Sequence, residues 1–233
     1  MNFAEISMHS NAPKPKVLLF DVNETLLDIA PLKQRVGDIL LDVRAPELWF
    51  ATMLQYSLAM TVSGQYAAFA DIGAAVLQMM ARNSDIVLTE QEAKEALSVI
   101  RTLAPHPDVQ PALKRLSALG WRMATLTNSS DAGVRAQIVH AGLDHLFERQ
   151  LSVESVGKFK PHTAVYQWAA QEMQVRPAEC MLVAAHGWDV AGAKWAGLQT
   201  AFIARKGQQK FSLSPPPDLD FSDLTALAEA LSA

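Results

Sequence analysis

The sequence is poor in cysteine: Cys180 is the single one among 233 residues, so the chain cannot form an internal disulfide. Cys180 lies in an apolar segment, which predicts a buried structural thiol rather than a nucleophile. The sequence also lacks any uncharged apolar run close to the roughly 18 residues that a membrane-spanning helix needs. These two absences predict a cytoplasmic protein that has no membrane partner.

Basic residues are also too few for one class of partner. Lys and Arg number 20 against 24 Asp and Glu, which gives a formal net charge of -4. No positive surplus exists to neutralise a phosphate backbone, so nucleic acid is not expected to bind. Since 50% of the residues are hydrophobic, the chain can bury a sizeable core, and disorder of the whole chain is excluded.

Residues 17–28 contain the most informative pattern that is present. Val17 to Phe20 carry no polar side chain, as is typical of a strand buried on both faces of a parallel sheet. Asp21 follows directly, at the carboxyl end of the predicted strand, where ligands of such sheets bind. An Asp that only opens a turn or caps the next helix is the alternative. Asp21 is therefore a candidate functional residue.

The remaining periodicity divides the chain into a core and an insertion. Residues 31–104 show helical periodicity with hardly any strand signal, including a helix over 90–103 that Thr89 caps. From Pro105 onward, helices alternate with short apolar strands. This pattern predicts an α/β fold, a Rossmann-like doubly wound parallel sheet with an inserted helical cap. The predicted units are a flexible tail (1–15), the core (16–30 and 105–233) and the cap (31–104). The predicted core helices are 109–119, 132–141, 161–173 and 190–196, and the predicted strands are 122–127, 150–153, 181–185 and 200–203. A last short segment, 219–221, precedes a terminal helix from 222.

Polar residues follow several of these predicted strands. Thr127 and Asn128, Lys160 and Asp189 would share one edge of the sheet with Asp21, because the carboxyl ends of parallel strands meet there. Lys160 opens a helix, where a cation gains nothing from the helix dipole, so a functional lysine is the better interpretation. The coincidence of these positions predicts one crevice that contains a site.

At this point the sequence resembles the haloacid dehalogenase superfamily. The resemblance lies in Phe20-Asp21 to Thr25, Leu126-Thr127-Asn128, Lys160-Pro161 and Trp188-Asp189. The helical insertion, and Tyr166 after Lys160-Pro161, are most similar to the L-2-haloacid dehalogenase branch. The resemblance implies a Rossmann-like core with a helical cap, no cofactor, and a short 2-haloacid substrate that is converted to a 2-hydroxyacid with release of halide.

The same resemblance implies roles for individual residues. Asp21 would be the nucleophile, with Thr25, Thr127 and Asn128 around it and around the substrate. Lys160, together with Asp189, would orient the nucleophile and balance its charge. Tyr166 lies in the matching segment. Since related dehalogenases commonly dimerise, a homodimer through the apolar stretch 67–80 is a further expectation.

Asn23 departs from the pattern of the superfamily's phosphatases, which place a second Asp two positions after the nucleophile. An amide cannot shuttle a proton, and general acid-base help is worth about 100- to 10,000-fold. Ala193 also leaves Asp189 without an acidic neighbour four residues on, which weakens a magnesium site. Metal-free chemistry is therefore favoured. The alternatives are a magnesium-dependent small-molecule phosphatase and a non-catalytic homologue that binds an anion.

Glu24 and His186 depart from the dehalogenase branch itself, where Gly and Asn are typical. Both lie in loops of the expected crevice. We hypothesise a dyad in which Glu24 fixes the tautomer of His186 and the imidazole takes a proton from the water that attacks the ester. An ordinary loop histidine is the alternative.

Phe50 occupies the position at which the branch usually has an arginine that contacts halide or substrate. Phe50 is either cap packing or an apolar wall beside the halogen, and Trp188 either lines the pocket or packs on the core. Without that arginine, we expect the substrate carboxylate to bind Thr127, Asn128 and backbone N-H groups, aided by Lys160.

Overall fold

Six parallel strands form one sheet in the computed structural model, which describes residues 13–232. The strand order is β3-β2-β1-β4-β5-β6, and the buried strand β1 pairs with β2 on one side and β4 on the other. The order reverses beside β1, so the carboxyl ends of β1 and β4 border the crevice in which such sheets bind ligands. The strands are β1 (Val17–Phe20), β2 (Arg122–Thr127), β3 (Arg149–Ser152), β4 (Cys180–Ala184), β5 (Gln199–Ile203) and β6 (Leu219–Phe221).

Helices cover both faces of this sheet, and an all-helical segment follows β1. Two buried apolar clusters lie on opposite faces of the sheet, and one of them continues into the helical segment. The α/β class with a doubly wound parallel sheet is therefore confirmed. The helical segment contains α1 (Ala30–Leu40), α2 (Ala45–Val62), α3 (Phe69–Asn83) and α4 (Glu90–Leu97); the other helices are α5 (Val109–Ala118), α6 (Asp131–His140), α7 (Thr163–Glu172), α8 (Gly187–Trp195) and α9 (Leu224–Ala230).

Several predicted helices begin or end at other residues in the structure. The helix predicted over 90–103 is capped by Thr89 as expected, but it changes at Ser98 into a 3-10 helix, Ser98–Thr102. The Ser98 hydroxyl donates to the Glu95 carbonyl three residues earlier, a local bond that competes with regular α-helix. Helix α7 begins two residues later than predicted, after the His162 side chain caps it, and α8 begins three residues earlier.

The apolar stretch 67–80 does not form a free apolar surface. It lies mainly on α3, whose apolar side chains pack in the core of the helical segment. Helix α2 packs closely against α3, and the indole N-H of Trp49 on α2 donates to the carbonyl of Gly73 on α3 at 2.9 Å. A Cβ at Gly73 would meet the sulfur of Met53 at 2.9 Å, so the glycine permits this packing. The residues proposed for a dimer interface are thus largely used inside one chain.

Other expectations concern the chain ends and the membrane. Most of the tail predicted over 1–15 lies outside the described residues. Within 13–232, no helix combines the length and the apolar character needed to cross a membrane. Cys180, the first residue of β4, is fully buried, as its apolar surroundings predict.

Candidate active site

Asp21 lies one residue beyond β1 and is 5% exposed. Its Oδ1 accepts a hydrogen bond from Lys160 Nζ at 2.9 Å, and its Oδ2 accepts one from the Thr25 hydroxyl at 2.7 Å. His186 Nδ1 lies 3.3 Å from Oδ2. Burial opposes ionisation of this carboxyl, but the Lys160 charge and the His186 contact outweigh it and hold the pKa of Asp21 well below its usual range. Asp21 is therefore a buried carboxylate.

Lys160 is fully buried, and its ammonium group donates to three oxygens. These are Asp21 Oδ1 at 2.9 Å, Asp189 Oδ2 at 2.5 Å and the Leu126 carbonyl at 2.9 Å. Burial by itself would lower the pKa of Lys160, but the negative charges of Asp189 and Asp21 have the larger effect, so the pKa is raised above its ordinary value. An ammonium group has three protons, and all three are used. No N-H of Lys160 is then left for the substrate carboxylate in this geometry, so the aid expected from Lys160 reduces to its positive charge.

Asp189 is held on both of its oxygens. Oδ2 binds Lys160, and Oδ1 accepts a hydrogen bond from the Tyr166 hydroxyl at 2.6 Å. Burial raises the pKa of Asp189 although Lys160 opposes the shift, and burial raises the pKa of Tyr166 well above its ordinary value. A Cβ at Gly192 would lie 2.8 Å from the Tyr166 hydroxyl, so a glycine leaves room for this contact. Tyr166 and Asp189 together fix Lys160 beneath Asp21.

His186 bridges Asp21 and a second carboxylate, that of Glu24. Its Nδ1 faces Asp21, and its Nε2 lies 3.0 Å from Glu24 Oε2. Burial lowers the pKa of His186, but the hydrogen bonds and charges of the two carboxylates raise it to about 9. His186 is therefore an imidazolium at neutral pH and donates from both nitrogens. The dyad expected of Glu24 and His186 stays a prediction, and in this charged state the imidazole must first lose a proton before it can act as a base.

Two aromatic rings stack on the His186 imidazole. The centroid of Phe50 lies 5.7 Å away and that of Trp188 lies 5.2 Å away, with interplanar angles of 18° and 29°. Both rings thus restrict the imidazole to its place beside Asp21. Phe50 also packs against the buried apolar cluster and lines the cavity between the helical segment and the sheet.

Glu24 has a backbone conformation that favours glycine, with φ at 67°. A non-glycine residue there costs about 1 to 2 kcal/mol. The conformation is fixed by its carbonyl, which contacts His106 Nε2 at 3.0 Å, and by its N-H, which donates to the Leu27 carbonyl. The glycine that the resemblance implies at this position would avoid this cost, whereas the glutamate present here contacts His186 through its carboxylate.

The Glu24 carboxylate has two further partners that the sequence did not predict. Lys33 Nζ donates to Oε1 at 2.9 Å, and Gln208 Nε2 donates to Oε2 at 2.9 Å. Burial opposes ionisation, but His186 and Lys33 outweigh it and lower the pKa of Glu24. Lys33 lies on α1, nine residues after Glu24, and Gln208 lies 184 residues after it in the β5–β6 connection. No motif or spacing marks either residue.

Asn23, Thr127 and Asn128 have partners within the protein. Asn23 donates to the Ser129 hydroxyl at 3.2 Å and accepts from Gln137 at 2.7 Å. Asn128 Oδ1 accepts from the backbone N-H of Lys160, and Thr127 Oγ1 accepts from that of Ser129. These side chains connect the loops after β1 and β2 and hold Lys160 in place.

A mostly apolar cavity of about 80 Å³ lies beside Asn23 and Phe50, between the helical segment and the sheet. One water needs roughly 10 to 15 Å³ by the same measure, so several waters or a small organic group fit. Its walls are formed by Asn23, Ile29, Leu32, Trp49, Phe50, Met53, Phe69, Ala70, Gly73, Leu97, Ile100, Arg101, Ser129, Ser130, Gly133 and Gln137.

Comparison with known proteins relates this arrangement to a family of enzymes. Residues 15–197 match the haloacid dehalogenase-like hydrolase family model. (S)-2-haloacid dehalogenase H-109 of Pseudomonas putida is 27% identical, over 92% of this chain and 96% of the relative. Haloacetate dehalogenase H-2 of Moraxella sp. strain B is also 27% identical, over 94% and 98%. The fold is similar to that of L-2-haloacid dehalogenase from Xanthobacter autotrophicus with chloropropionic acid covalently bound, with a TM-score of 0.87, 22% identity, and coverage of 94% of this chain and 99% of that one.

Proposed function

Because the chain belongs to the haloacid dehalogenase-like hydrolase family, we propose that it hydrolyses short L-2-haloacids to 2-hydroxyacids through an ester on Asp21. The observation that carries this proposal is the state of Asp21, an ionised and buried carboxylate held by Lys160 and Thr25, two residues before Asn23 in the cavity wall. The 2-haloacid and haloacetate dehalogenases among its relatives support the substrate class.

In the first step, an oxygen of Asp21 forms a bond to C2 of the substrate. The carbon-halogen bond breaks, and its electron pair leaves with the halide. This leaving group needs no proton, so Asn23 in place of an acid is no disadvantage. Lys160 and Thr25 hold the carboxylate in a fixed orientation for the displacement, which lowers the entropic part of the barrier.

Ester formation changes the charge around His186. The esterified Asp21 no longer carries a negative charge, so one of the two carboxylates that raise the pKa of His186 is removed. The pKa of His186 falls, and the imidazolium releases a proton to solvent. Glu24 remains on Nε2 and orients the ring with Nδ1 toward the ester. The base thus forms only after the first step has occurred.

In the second step, water attacks the carboxyl carbon of the Asp21 ester while His186 takes a proton from it. The bond from that carbon to the Asp21 oxygen that is joined to C2 breaks, and the leaving alkoxide keeps this oxygen and takes the proton from His186. The oxygen of the water replaces it in the Asp21 carboxyl group. The new carboxylic acid of Asp21 then gives its proton to His186, which restores the resting ion pair. The net products are a 2-hydroxyacid, halide and the proton released earlier.

We propose that Phe50 and Trp188 form apolar walls beside C2 and the halogen, because both rings border His186. Thr127, Asn128 and backbone N-H groups at the start of α6 are the proposed ligands of the substrate carboxylate. Lys160 contributes its charge from behind Asp21 rather than a hydrogen bond to the substrate, since its three protons are used.

A magnesium-dependent phosphatase is less consistent with these residues. The Lys160 ammonium group lies between the carboxylates of Asp21 and Asp189, the pair that a magnesium site would share. The amide of Asn23 cannot protonate an alkoxide and is engaged by Ser129 and Gln137. We therefore propose that the reaction is independent of metal and requires no cofactor.

Halide release from chloroacetate and L-2-chloropropionate, with and without a chelator, tests this function. We expect release that the chelator does not change, and loss of release in Asp21→Asn. Phosphate release from p-nitrophenyl phosphate with magnesium is measured in parallel. Phosphate release without halide release would indicate a phosphatase, and binding of haloacid without either product would indicate an anion-binding homologue.

A cytoplasmic location and a homodimer are also proposals. The location rests on the single cysteine, which suits a reducing compartment. The proposal of a dimer rests on the resemblance to dehalogenases that commonly dimerise. The interface would have to use a surface other than the buried side chains of α3. Sedimentation equilibrium of the purified chain distinguishes a monomer from a dimer.

A further inference from the structure

Gln208 and His186 share one oxygen of the Glu24 carboxylate. Gln208 Nε2 lies 2.9 Å from Oε2, and His186 Nε2 lies 3.0 Å from the same atom. We propose that Gln208 is a positioning residue that holds Glu24 Oε2 on His186 and weakens the pull of this carboxylate on the imidazole proton. The kinetic consequence of this inference rests on the proposed function, whereas the effect on His186 itself does not.

The segment that carries Gln208 is attached to the loop of Asp21 and to the start of α8. Arg205 donates two hydrogen bonds to the carbonyl of Thr25, at 2.9 and 3.2 Å, and a third to Asp108 at 2.8 Å. Gly187 lies against the carbonyl of Gln209 with no room for a Cβ. These contacts hold the β5–β6 connection in place, so the amide of Gln208 reaches Glu24 from a fixed backbone.

Charged and titratable groups surround His186 on several elements. Two carboxylates contact the imidazole directly, and Lys33 of α1 draws negative charge from Oε1 of Glu24. Gln208 is uncharged and donates to the oxygen that His186 uses. The groups that face His186 or its partners are Asp21, Glu24, Lys33, His106, Lys160, Asp189 and Arg205.

Removal of the Gln208 amide has a defined electrostatic effect. Glu24 Oε2 then interacts more strongly with the His186 imidazolium, because the second hydrogen-bond donor to this oxygen is lost. The imidazolium holds its proton more tightly, so a smaller fraction of the esterified enzyme has the base at neutral pH. Ester hydrolysis should slow and its pH profile should shift to alkaline values. The first step uses Asp21 and should keep its rate.

The test compares Gln208→Leu and Gln208→Glu with Gln209→Leu, a matched control on the next residue, whose side chain is exposed. The pKa of His186 is measured by NMR titration of the free protein, and decay of the Asp21 ester by quenched single-turnover mass spectrometry. We expect the pKa of His186 to increase from wild type to Gln208→Leu to Gln208→Glu. Hydrolysis at neutral pH should slow about three- to tenfold in Gln208→Leu, as a shift of half to one pKa unit gives.

The NMR measurement separates this inference from the proposed function. If no haloacid forms an ester but the pKa of His186 follows the expected order, the proposed function fails and the role of Gln208 stands. The inference would be overturned if the pKa of His186 in Gln208→Leu equalled that in Gln209→Leu, or if it were lower. Gln208→Glu keeps nearly the same side-chain volume and guards against a folding defect, which circular dichroism of each variant also detects.

Discussion

The two sides of the Asp21 carboxylate are built differently. On the Oδ1 side, Lys160, Asp189 and Tyr166 are fully buried and bind one another through short hydrogen bonds. On the Oδ2 side, His186 connects Asp21 to Glu24, which half-buried Lys33 and Gln208 contact in turn. The raised pKa of Lys160 keeps a positive charge on the first side, whereas the imidazole on the second side can lose a proton.

This difference teaches how one carboxylate can serve in two steps. The Lys160 side provides a constant positive charge that keeps Asp21 ionised for attack on carbon. The His186 side responds to the charge of Asp21, because the pKa of its imidazole depends on that charge. Variants on the two sides should therefore affect different steps, and four predictions test this contrast.

Lys160→Met should have the largest effect. It leaves the buried carboxylates of Asp21 and Asp189 without their shared cation, which costs about 3 to 5 kcal/mol of unfolding free energy. The pKa of Asp21 should rise, and ester formation should fall below detection. Urea denaturation measures stability, and mass spectrometry detects the ester. A stability loss below about 1 kcal/mol would show that Lys160 is not the main counter-charge.

Of the two chemical steps, His186→Asn should slow only the second. Loss of the base slows ester hydrolysis by about 100- to 10,000-fold, whereas Asp21, Lys160 and Thr25 still form the ester. The enzyme should therefore release one equivalent of halide in a burst and then nearly stop, with the ester retained on Asp21. Rapid-quench halide measurement gives the burst. Single-turnover ester hydrolysis at the rate of wild type would contradict the dyad of Glu24 and His186.

The fold and the arrangement of the strand-end residues could be predicted from the sequence, because apolar strands followed by polar residues determine which side chains meet at one edge of a parallel sheet. Asp21, Lys160 and Asp189 meet there, and Glu24 lies beside His186. Gln208 could not be predicted, because its position depends on how a long connection folds back. The protonation state of His186 could not be predicted either, because it depends on distances to two carboxylates.

The dependence of stability on pH should also differ between the two sides. The pKa of His186 is raised to about 9 in the folded state, above the value of about 6.5 in an unfolded chain. Its stabilising effect is therefore complete below pH 6.5 and is lost as the pH rises through 9. The stability advantage of wild type over His186→Asn should shrink across this window by at most about 3 kcal/mol.

Urea denaturation of both proteins at pH 6.5 and pH 9 measures this change. Gln209→Leu, at an exposed position, is a control that keeps the charged groups around the imidazole, and its stability relative to wild type should not change across this window. A constant difference between wild type and His186→Asn across the window would show that the imidazole is not charged in the folded free enzyme, and the contrast between the two sides would fail.

Arg122→Met should have the smallest effect. Its comparison with Lys160→Met tests whether burial, rather than ion pairing as such, makes the Lys160 ion pairs important. Arg122 forms a two-pronged ion pair with Glu148 at 2.8 and 2.7 Å, a geometry as close as that of Lys160 with Asp21. The two side chains are 40% and 45% exposed, so water replaces the lost bonds. The cost should be about 0 to 1 kcal/mol, with no change in either catalytic step. A stability loss equal to that of Lys160→Met would mean that the distance between the charges alone sets the strength of these ion pairs. Burial would then not explain why the Lys160 ion pairs matter more.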